Sequence, residues 1–217
     1  MLYLIATPIG NLADITVRGL KTIEECDYLL CEDTRHSRRL LSHYDLRKPL
    51  KSYHKFNEAK REEEIIKDLK SGITIGLLSD AGTPGISDPG GRLVKKCREL
   101  ALEVCAIPGP CSPIVALVAS GLDTTRFQFV GFLPRKKGKL TKILEESLAY
   151  PGTTICFESP HRILKSLKVL GDLAPDRKVV VARELTKKFE EYAQGTATEL
   201  LEKWKTSPPK GEIILMI

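Results

Sequence analysis

The feature that most constrains the fold is an alternation, in the first half of the chain, between short apolar runs and longer amphipathic stretches. The apolar runs have the length of strands and lie at residues 2–6, 28–31, 73–78 and 104–107. The amphipathic stretches have helical periodicity and lie at residues 14–25, 34–44, 59–70 and 88–100. For the last of these, Ser87 is a suitable cap and Pro89 fits the first turn. Because strands that alternate with helices pair in parallel, this half predicts a mostly parallel α/β sheet.

The second half has a different pattern, which predicts a mixed sheet. Its predicted strands lie at residues 128–132, 153–157, 179–182 and 213–217. Its predicted helices lie at residues 139–148, 161–170 and 198–205. The Pro-Gly-Pro-Cys-Ser-Pro segment at 108–113 cannot continue a strand or an ordinary helix. We therefore expect two α/β domains, a parallel-sheet domain at 1–112 and a mixed-sheet domain at 113–217.

Composition narrows the class of protein only broadly. With 42% hydrophobic and 29% charged residues, the chain has ordinary globular composition. The net charge of +6 permits an anionic partner, although a solvated basic surface explains it equally well. Six cysteines without a Cys-x-x-Cys pair favour reduced core thiols over zinc or disulfides. With no signal peptide and no apolar run of membrane-spanning length, we expect a cytoplasmic protein with no metal and no membrane partner.

The segments that follow the four predicted strands of the first half are the best candidates for a site. Ligands of open parallel sheets bind beyond the carboxyl ends of the strands, and these ends meet at one edge. The four segments are rich in Gly, Pro, small or charged residues and lie at 7–12, 32–36, 79–87 and 108–112.

The segment at 79–87 is the most informative of the four. Gly82 and Gly85 allow close backbone approach to a ligand, and Pro84 stiffens the loop. Asp80 can accept hydrogen bonds from a ligand amine or ribose hydroxyl, while a tight turn capped by Asp80 is the structural alternative. The segment matches neither the Walker nor the Rossmann glycine pattern. It therefore favours a cationic cofactor held by backbone groups beside a carboxylate.

Seven short motifs, in order along the chain, resemble one family. They are Thr-Pro-Ile-Gly-Asn-Leu at 7–12, Cys-Glu-Asp-Thr-Arg at 31–35, Ser-Asp-Ala-Gly-Thr-Pro-Gly at 79–85, Pro-Gly-Pro at 108–110, Gly-Phe-Leu-Pro at 131–134, Arg-Glu-Leu-Thr-Lys at 183–187 and Lys-Gly-Glu at 210–212. Together they resemble the small-subunit ribosomal RNA (cytidine-2′-O)-methyltransferases of the tetrapyrrole methylase superfamily. The resemblance covers nearly the whole chain.

The resemblance implies a fold, a cofactor and a substrate. The fold has two α/β domains with the cofactor in the interdomain cleft, and the cofactor is S-adenosylmethionine. The substrate is a cytidine ribose in the decoding centre of small-subunit ribosomal RNA, and a homodimer is expected. The implied cofactor-binding residues are Pro8, Asp80, Gly82, Thr83, Pro84, Phe157, Leu185 and Gly211. A plain core role for Phe157 and Leu185 is the alternative.

Methyl transfer to a ribose 2′-hydroxyl is helped by a general base or by a group that stabilises the developing oxyanion. The candidates near the expected cleft are Glu32, Asp33, Arg35, Glu184 and Lys187. Lys187 serves as a base if it is desolvated, or stabilises the alkoxide if it is charged. An ion network of these acidic and basic groups that holds the two domains together is the alternative, and the sequence does not identify the base.

Two basic clusters are candidates for contacts with RNA phosphates, with solvated faces as the alternative. Their members are Arg38, Arg39, Arg135, Lys136 and Lys137. No feature points to DNA. Two rival functions remain at this point. One is a methyltransferase of the same superfamily that acts on a tetrapyrrole or a protein side chain, and the other is a non-catalytic RNA-binding assembly factor.

Overall fold

The computed structural model describes all residues from 1 to 217. The chain consists of two compact units, Met1–Cys111 and Ser112–Ile217. No helix in either unit combines the length and the apolar composition that crossing a bilayer requires.

The first unit is a five-stranded parallel sheet with helical connections. Its strands are β1 (Leu2–Ile5), β2 (Tyr28–Cys31), β3 (Leu50–Ser52), β4 (Ile75–Leu78) and β5 (Val104–Ile107). Its α-helices are α1 (Val17–Glu25), α2 (Thr34–His43), α3 (Glu58–Lys70) and α4 (Gly91–Glu99), and a 3-10 turn covers Leu12–Asp14. The strand order is β3-β2-β4-β1-β5, and every neighbouring pair is parallel. The predicted parallel sheet is confirmed.

The three central apolar strands of this sheet, β2, β4 and β1, are covered on both faces, whereas the edge strand β5 is only partly buried. One buried cluster contains Leu30 and Leu77, and the cluster on the opposite face contains Ile5, Leu29 and Leu78. Burial on both faces explains why these strands appear in the sequence as continuous apolar runs.

The predicted start of the fourth helix is wrong. Ser87 has a φ of +66°, which is not the extended backbone of a capping residue, and helix α4 begins only at Gly91. Gly90 holds the turn with a φ of +129°, and a Cβ there would lie 2.6 Å from Leu77 Cδ2. The close packing of this turn on β4 therefore delays the helix. The first helix also begins later than predicted, at Val17, because Thr16 caps it by accepting a 2.9 Å hydrogen bond from Gly19 N.

The second unit is a five-stranded mixed sheet with helices. Its strands are β6 (Phe127–Phe132), β7 (Thr153–Glu158), β8 (Lys178–Arg183), β9 (Glu191–Thr196) and β10 (Ile213–Met216). Its helices are α5 (Ser112–Val118), α6 (Lys137–Ala149), α7 (Ile163–Leu173) and α8 (Ala197–Lys203). The order is β6-β7-β10-β8-β9, in which only β6 and β7 are parallel. The core includes Leu144, Leu167 and Leu215, each with no exposed surface.

Helix α5 corrects the expectation that the Pro-rich segment at 108–113 excludes a helix. The helix begins at Ser112 and carries Pro113 in its first turn. Proline is tolerated there because the first-turn N–H groups have no partner within the helix.

Candidate functional site

The loops at one edge of the first sheet form a connected group. Residue Ile5 is in register with Leu78 and Ile107, so the segments that follow β1, β4 and β5 leave the sheet together. Thr7 N donates to Gly82 O at 2.9 Å, and Gly82 N donates to Thr7 O at 3.0 Å. The segment after β1 is thereby fixed to the segment after β4.

Further hydrogen bonds hold the loop at 79–87 against the segments that follow β1 and β5. Thr7 Oγ1 donates to Ser79 O at 3.0 Å, and Thr83 Oγ1 donates to Pro110 O at 2.9 Å. Gly82 has a φ of +83°, and a Cβ there would lie 3.3 Å from Ile9 Cγ2. The glycine is needed for its backbone conformation as well as for space. Pro84 is buried and Pro8 is half-buried, so the loop is held firmly before any ligand arrives.

Asp80 connects this loop to the segment after β2. Its Oδ1 accepts a 3.1 Å hydrogen bond from Asp33 N. Asp33 caps helix α2 by accepting from Arg35 N at 2.8 Å, and it also binds the Arg35 guanidinium. The hydrogen bonds from Arg35 hold the pKa of Asp33 well below its usual range. Asp33 is therefore an ionised carboxylate that is paired with Arg35, and it is only a weak base.

Three other acidic side chains of this unit lie near one another, and two of them, Glu32 and Asp88, have a raised pKa. We call Glu32, Asp80 and Asp88 the acid group. Burial, and then the charge of Asp80, raise the pKa of Glu32, and nearby His54 partly offsets this. Burial, and then the charges of Glu32 and Asp80, raise the pKa of Asp88 to about 6. None of the three forms a salt bridge with a basic side chain. The acid group is thus a partly buried negative region without a counter-ion.

Asp88 is a site residue that the sequence reasoning missed. The sequence assigns it to the start of a helix, whereas the structure places it in the loop before the Gly90 turn. The sequence did contain one indication that Asp88 belongs to the site, because Asp88 directly follows the Gly-rich segment after β4. No three His, Cys, Asp or Glu side chains of the chain have the geometry of a metal site.

The second unit gathers its own candidates at one edge of its sheet. Phe157 of β7 is in register with Phe132 of β6 on one side and with Ile214 of β10 on the other. Ile213, at the start of β10, is in register with Arg183 at the end of β8. The segments after β6, β7 and β8 and the segment before β10 therefore lie together. The candidates that this edge brings together are Arg135, Lys136, Lys137, Phe157, Glu184, Leu185, Lys187 and Gly211.

Phe157 and Leu185 both pack closely within this unit. The ring centroid of Phe157 lies 4.9 Å from that of Phe129 and 5.2 Å from that of Phe132, and Phe157 is half-buried. Leu185 is only 6% exposed. Packing alone accounts for Leu185, while the half-exposed aromatic cluster leaves Phe157 a surface on which a ligand can lie.

Glu184, Lys187 and Glu212 form an ion network at the same edge. Lys187 Nζ donates to Glu184 Oε1 at 2.9 Å and to Glu212 Oε2 at 2.8 Å. Burial favours a raised pKa for Glu184, but the hydrogen bonds from Lys187 and from Glu212 N outweigh it and lower the pKa. Burial likewise opposes the charge of Lys187, but its two carboxylate partners raise its pKa. Lys187 is held as an ammonium ion and is not a base.

Gly211 makes this network possible. Its φ is +89°, and a Cβ at this position would overlap the carboxyl group of Glu184. The close approach of backbone and carboxylate therefore requires glycine.

The basic residues nominated for RNA contacts are exposed. Arg38 and Arg39 lie on helix α2 of the first unit, and Arg135, Lys136 and Lys137 lie between β6 and the first turn of α6. None of the five takes part in a salt bridge, in contrast to Arg35, whose charge is paired with Asp33.

Comparison with known proteins identifies the family. The model of the tetrapyrrole (corrin/porphyrin) methylases matches residues 1–201. A ribosomal RNA small subunit methyltransferase I of Mesorhizobium japonicum is 46% identical, with all of this chain and 74% of the relative aligned. The protein of the same name from Haemophilus influenzae is also 46% identical, with 100% of this chain and 78% of the relative aligned.

Solved structures support the same fold. Diphthine synthase superposes with a TM-score of 0.75 at 15% identity, covering 100% of this chain and 88% of that one. Cobalt precorrin-4 methyltransferase, a cobalamin biosynthetic enzyme, superposes with a TM-score of 0.71 at 18% identity, covering 99% of this chain and 93% of that one. The chain belongs to the tetrapyrrole methylase family and, within it, to the group of proteins named ribosomal RNA small subunit methyltransferase I. The family resemblance found in the sequence is confirmed.

Proposed function

We propose that the protein transfers a methyl group from S-adenosylmethionine to the 2′-oxygen of a cytidine ribose in the decoding centre of small-subunit ribosomal RNA. The observation that carries this proposal is the similarity, over the whole chain, to relatives that are named for methylation of small-subunit ribosomal RNA. The cytidine and its 2′-oxygen come from the sequence motifs and are the finer part of the proposal.

The first unit fits a cationic cofactor. S-adenosylmethionine carries a sulfonium and an ammonium charge and no phosphate. The acid group supplies partly buried negative charge with no basic partner in the chain. Next to it, the loop at 79–87, shaped by the turn at Gly82, offers the backbone N–H of Thr83 and the carboxylate of Asp80. A partly buried group of carboxylates that lacks a counter-ion is stabilised by binding a cation.

When bound, the cofactor supplies a methyl group already activated by the sulfonium. The chain must therefore mainly align a ribose oxygen with that methyl group and accept its proton. Among the nominated residues, Glu32 is the carboxylate with a raised pKa, so we assign it the role of general base. As the methyl group is transferred, the carboxylate of Glu32 would take up the proton that the 2′-hydroxyl loses.

The other candidates are assigned different roles. Asp33 and Arg35 fix the start of helix α2 through their ion pair. Lys187 remains charged between Glu184 and Glu212, where it stabilises developing negative charge or binds a phosphate. The five unpaired basic residues bind the RNA backbone. The proposal includes a homodimer working in the cytoplasm, and sedimentation of the purified protein tests the dimer.

The decisive experiment supplies labelled S-adenosylmethionine and small ribosomal subunits that lack their native methyl groups. The modified nucleotide is mapped by nuclease digestion and mass spectrometry. We expect one methyl group on the 2′-oxygen of a single cytidine. Methylation of a tetrapyrrole or a protein instead would contradict the assigned substrate. Cofactor binding without transfer to any RNA would favour a non-catalytic assembly factor.

The same assay tests the assigned base. Glu32→Gln keeps the size and hydrogen-bonding capacity of the side chain but removes its basicity. We expect the turnover of methyl transfer to fall by roughly 10²–10⁴-fold, with a much smaller change in the Kd for the cofactor. Glu63→Gln is the matched control, because it makes the same change at an exposed position of helix α3 that forms no salt bridge. Equal turnover in wild type and Glu32→Gln would remove Glu32 from the role of base.

A further inference from the structure

The second unit contains a cavity of roughly 440 Å³ that the proposed chemistry does not use. It lies between the loop that follows β8 and the segment that follows α8. Its walls include Arg183 and Phe189 on one side and Trp204, Pro208 and Lys210 on the other. Its size is that of a small-molecule site rather than of a packing defect.

The lining of the cavity is positively charged. Three of its residues are basic, Arg183, Lys203 and Lys210, whereas its one carboxylate, Glu184, is already paired with Lys187. Arg183 Nε and Lys203 Nζ both bind Glu191 at 2.6 Å, which fixes these two side chains at the wall. The ammonium of Lys210 has no ion-pair partner. The cavity therefore favours an anion.

An exposed aromatic ring stands beside these charges. Phe189 is 64% exposed, although its loop is fixed by hydrogen bonds from Lys187 N to Glu184 O at 3.0 Å and from Glu190 N to Lys187 O at 3.1 Å. Lys188 Nζ lies 5.7 Å from the centre of the Phe189 ring. A fixed loop thus presents a bare phenyl ring to solvent between cationic groups.

Phe189 lies beside two ammonium groups that form no salt bridge, those of Lys188 and Lys210. A flat ring next to unpaired cations is the combination by which proteins bind single-stranded nucleic acid. Aromatic side chains stack on unpaired bases, while Lys and Arg bind the phosphates. We propose that this cavity binds one unpaired nucleotide of an RNA strand, with the base on Phe189 and the phosphate at Lys210. The proposal rests on the proposed function in taking RNA as the partner, and it adds a binding site whose lining contains none of the basic residues nominated from the sequence.

The chain contains a built-in probe for this site, because Trp204 is its one tryptophan and lines the cavity. We would titrate the full-length protein with a single-stranded RNA oligonucleotide and follow tryptophan fluorescence. We expect saturable quenching. Phe189→Ala should weaken the binding by at least about fivefold, since stacking of one base contributes that much or more. Lys210→Ala should reduce the dependence of affinity on salt by about one phosphate contact.

Matched variants at the opposite edge of the same sheet serve as controls. Phe127 is 42% exposed at the start of β6, and Lys178 is exposed at the start of β8. Phe127→Ala and Lys178→Ala should leave both the quenching and the affinity unchanged. If Phe189→Ala and Phe127→Ala bind the oligonucleotide equally well, the proposal is wrong.

Two further comparisons complete the test. The first distinguishes a free nucleotide from an RNA strand as the ligand, and the second distinguishes failure of this site from failure of the proposed function. Cytidine 5′-monophosphate should quench much more weakly than the oligonucleotide, and equal affinity would overturn the assignment to an RNA strand. Quenching that depends on Phe189, in a protein that methylates no RNA, would support this site while contradicting the proposed function. Methyl transfer to subunits that is unaffected by Phe189→Ala, with no quenching, would overturn the site and leave the proposed function standing.

Discussion

At the scale of single residues, Glu32 and Asp33 are adjacent carboxylates whose environments push them in opposite directions. Asp33 lies at the N-terminus of helix α2 and binds Arg35, so its pKa falls. Glu32 is partly buried beside Asp80 and has no cationic partner, so its pKa rises. The same functional group is thus a structural cap at one position and a proton acceptor at the next.

The first prediction concerns Asp80. Asp80→Asn removes the charge of the side chain but keeps the oxygen that accepts from Asp33 N. We expect it to raise the Kd for S-adenosylmethionine by roughly 10- to 100-fold, because hydrogen bonds to charged groups contribute about 1.5–3 kcal/mol. Isothermal titration calorimetry measures this change. Asp45→Asn, in an exposed turn of the same unit, controls for loss of one negative charge. Unchanged affinity in Asp80→Asn would contradict the assigned role of the loop.

The second prediction concerns the pH dependence of stability at Asp88. Its pKa is about 6 in the folded chain and near 3.8 when unfolded, so the folded state resists ionisation of this carboxyl. The stability present at pH 4 is therefore lost as the pH rises to about 6. Asp88→Asn should raise the free energy of unfolding at pH 7 by on the order of 1–2 kcal/mol, allowing for partial solvent exposure, and change it little at pH 4. Urea unfolding at both pH values measures the difference, and a gap of the same size at pH 4 and pH 7 would exclude this cause.

The candidate site was predictable in part from the sequence. Asp80 and Glu32 stand out because they directly follow apolar strands, and parallel topology brings such positions to one edge. Asp88 does not stand out, since its place in the acid group depends on a turn at Gly90 that is set by packing against Leu77. The sequence left an ion network around Lys187 as one alternative, without its partners, and the structure shows the carboxylates of Glu184 and Glu212 within hydrogen-bond distance of its ammonium.

At the scale of elements, the apolar strands were the most predictable, because burial on both faces leaves a continuous hydrophobic run. Strand β9 was missed, since Glu191–Thr196 is largely polar and lies at the edge of the sheet, where pairing with β8 alone defines it. Strand β3 was missed because it has only three residues. Its pairing is continued by Tyr53 N, which donates to Cys31 O at 2.8 Å. Tertiary pairing, rather than local pattern, forms both strands.

The third prediction belongs to helix α8. Thr196 caps this helix by accepting from Glu199 N, and the Glu199 carboxylate accepts from the backbone N–H of Thr196, which completes a capping box. Thr196→Ala should lower the free energy of unfolding by about 1 kcal/mol, because it leaves a backbone N–H in the first turn without its partner. Thr198→Ala is the matched control, as Thr198 is exposed in the same turn and takes no part in the cap. Urea unfolding of the two variants should differ, and equal stability would mean that solvent replaces the cap at no cost.

At the scale of the whole molecule, the net charge of +6 is distributed unevenly between paired and unpaired groups. Many basic side chains are neutralised by carboxylates, as Arg92 is by Glu62 and Arg183 by Glu191. The basic residues nominated for RNA have no such partner. The nominated residues therefore keep their positive charge available to an anionic partner, as do other exposed basic residues that form no salt bridge, such as Lys165 and Lys168.

The last prediction follows from that distribution. Binding of small-subunit RNA should weaken linearly on a plot of log Kd against log salt, because each phosphate contact releases condensed counter-ions. The double variant Arg38→Ala and Arg39→Ala should reduce the slope by about 1.4–1.8, the value for two lost contacts. Filter binding over a series of salt concentrations measures the slope. Lys165→Ala with Lys168→Ala removes the same charge from exposed positions on helix α7 and should reduce the slope far less. If both pairs reduce the slope equally, the RNA responds to the total charge of the molecule, and Arg38 and Arg39 make no phosphate contact of their own.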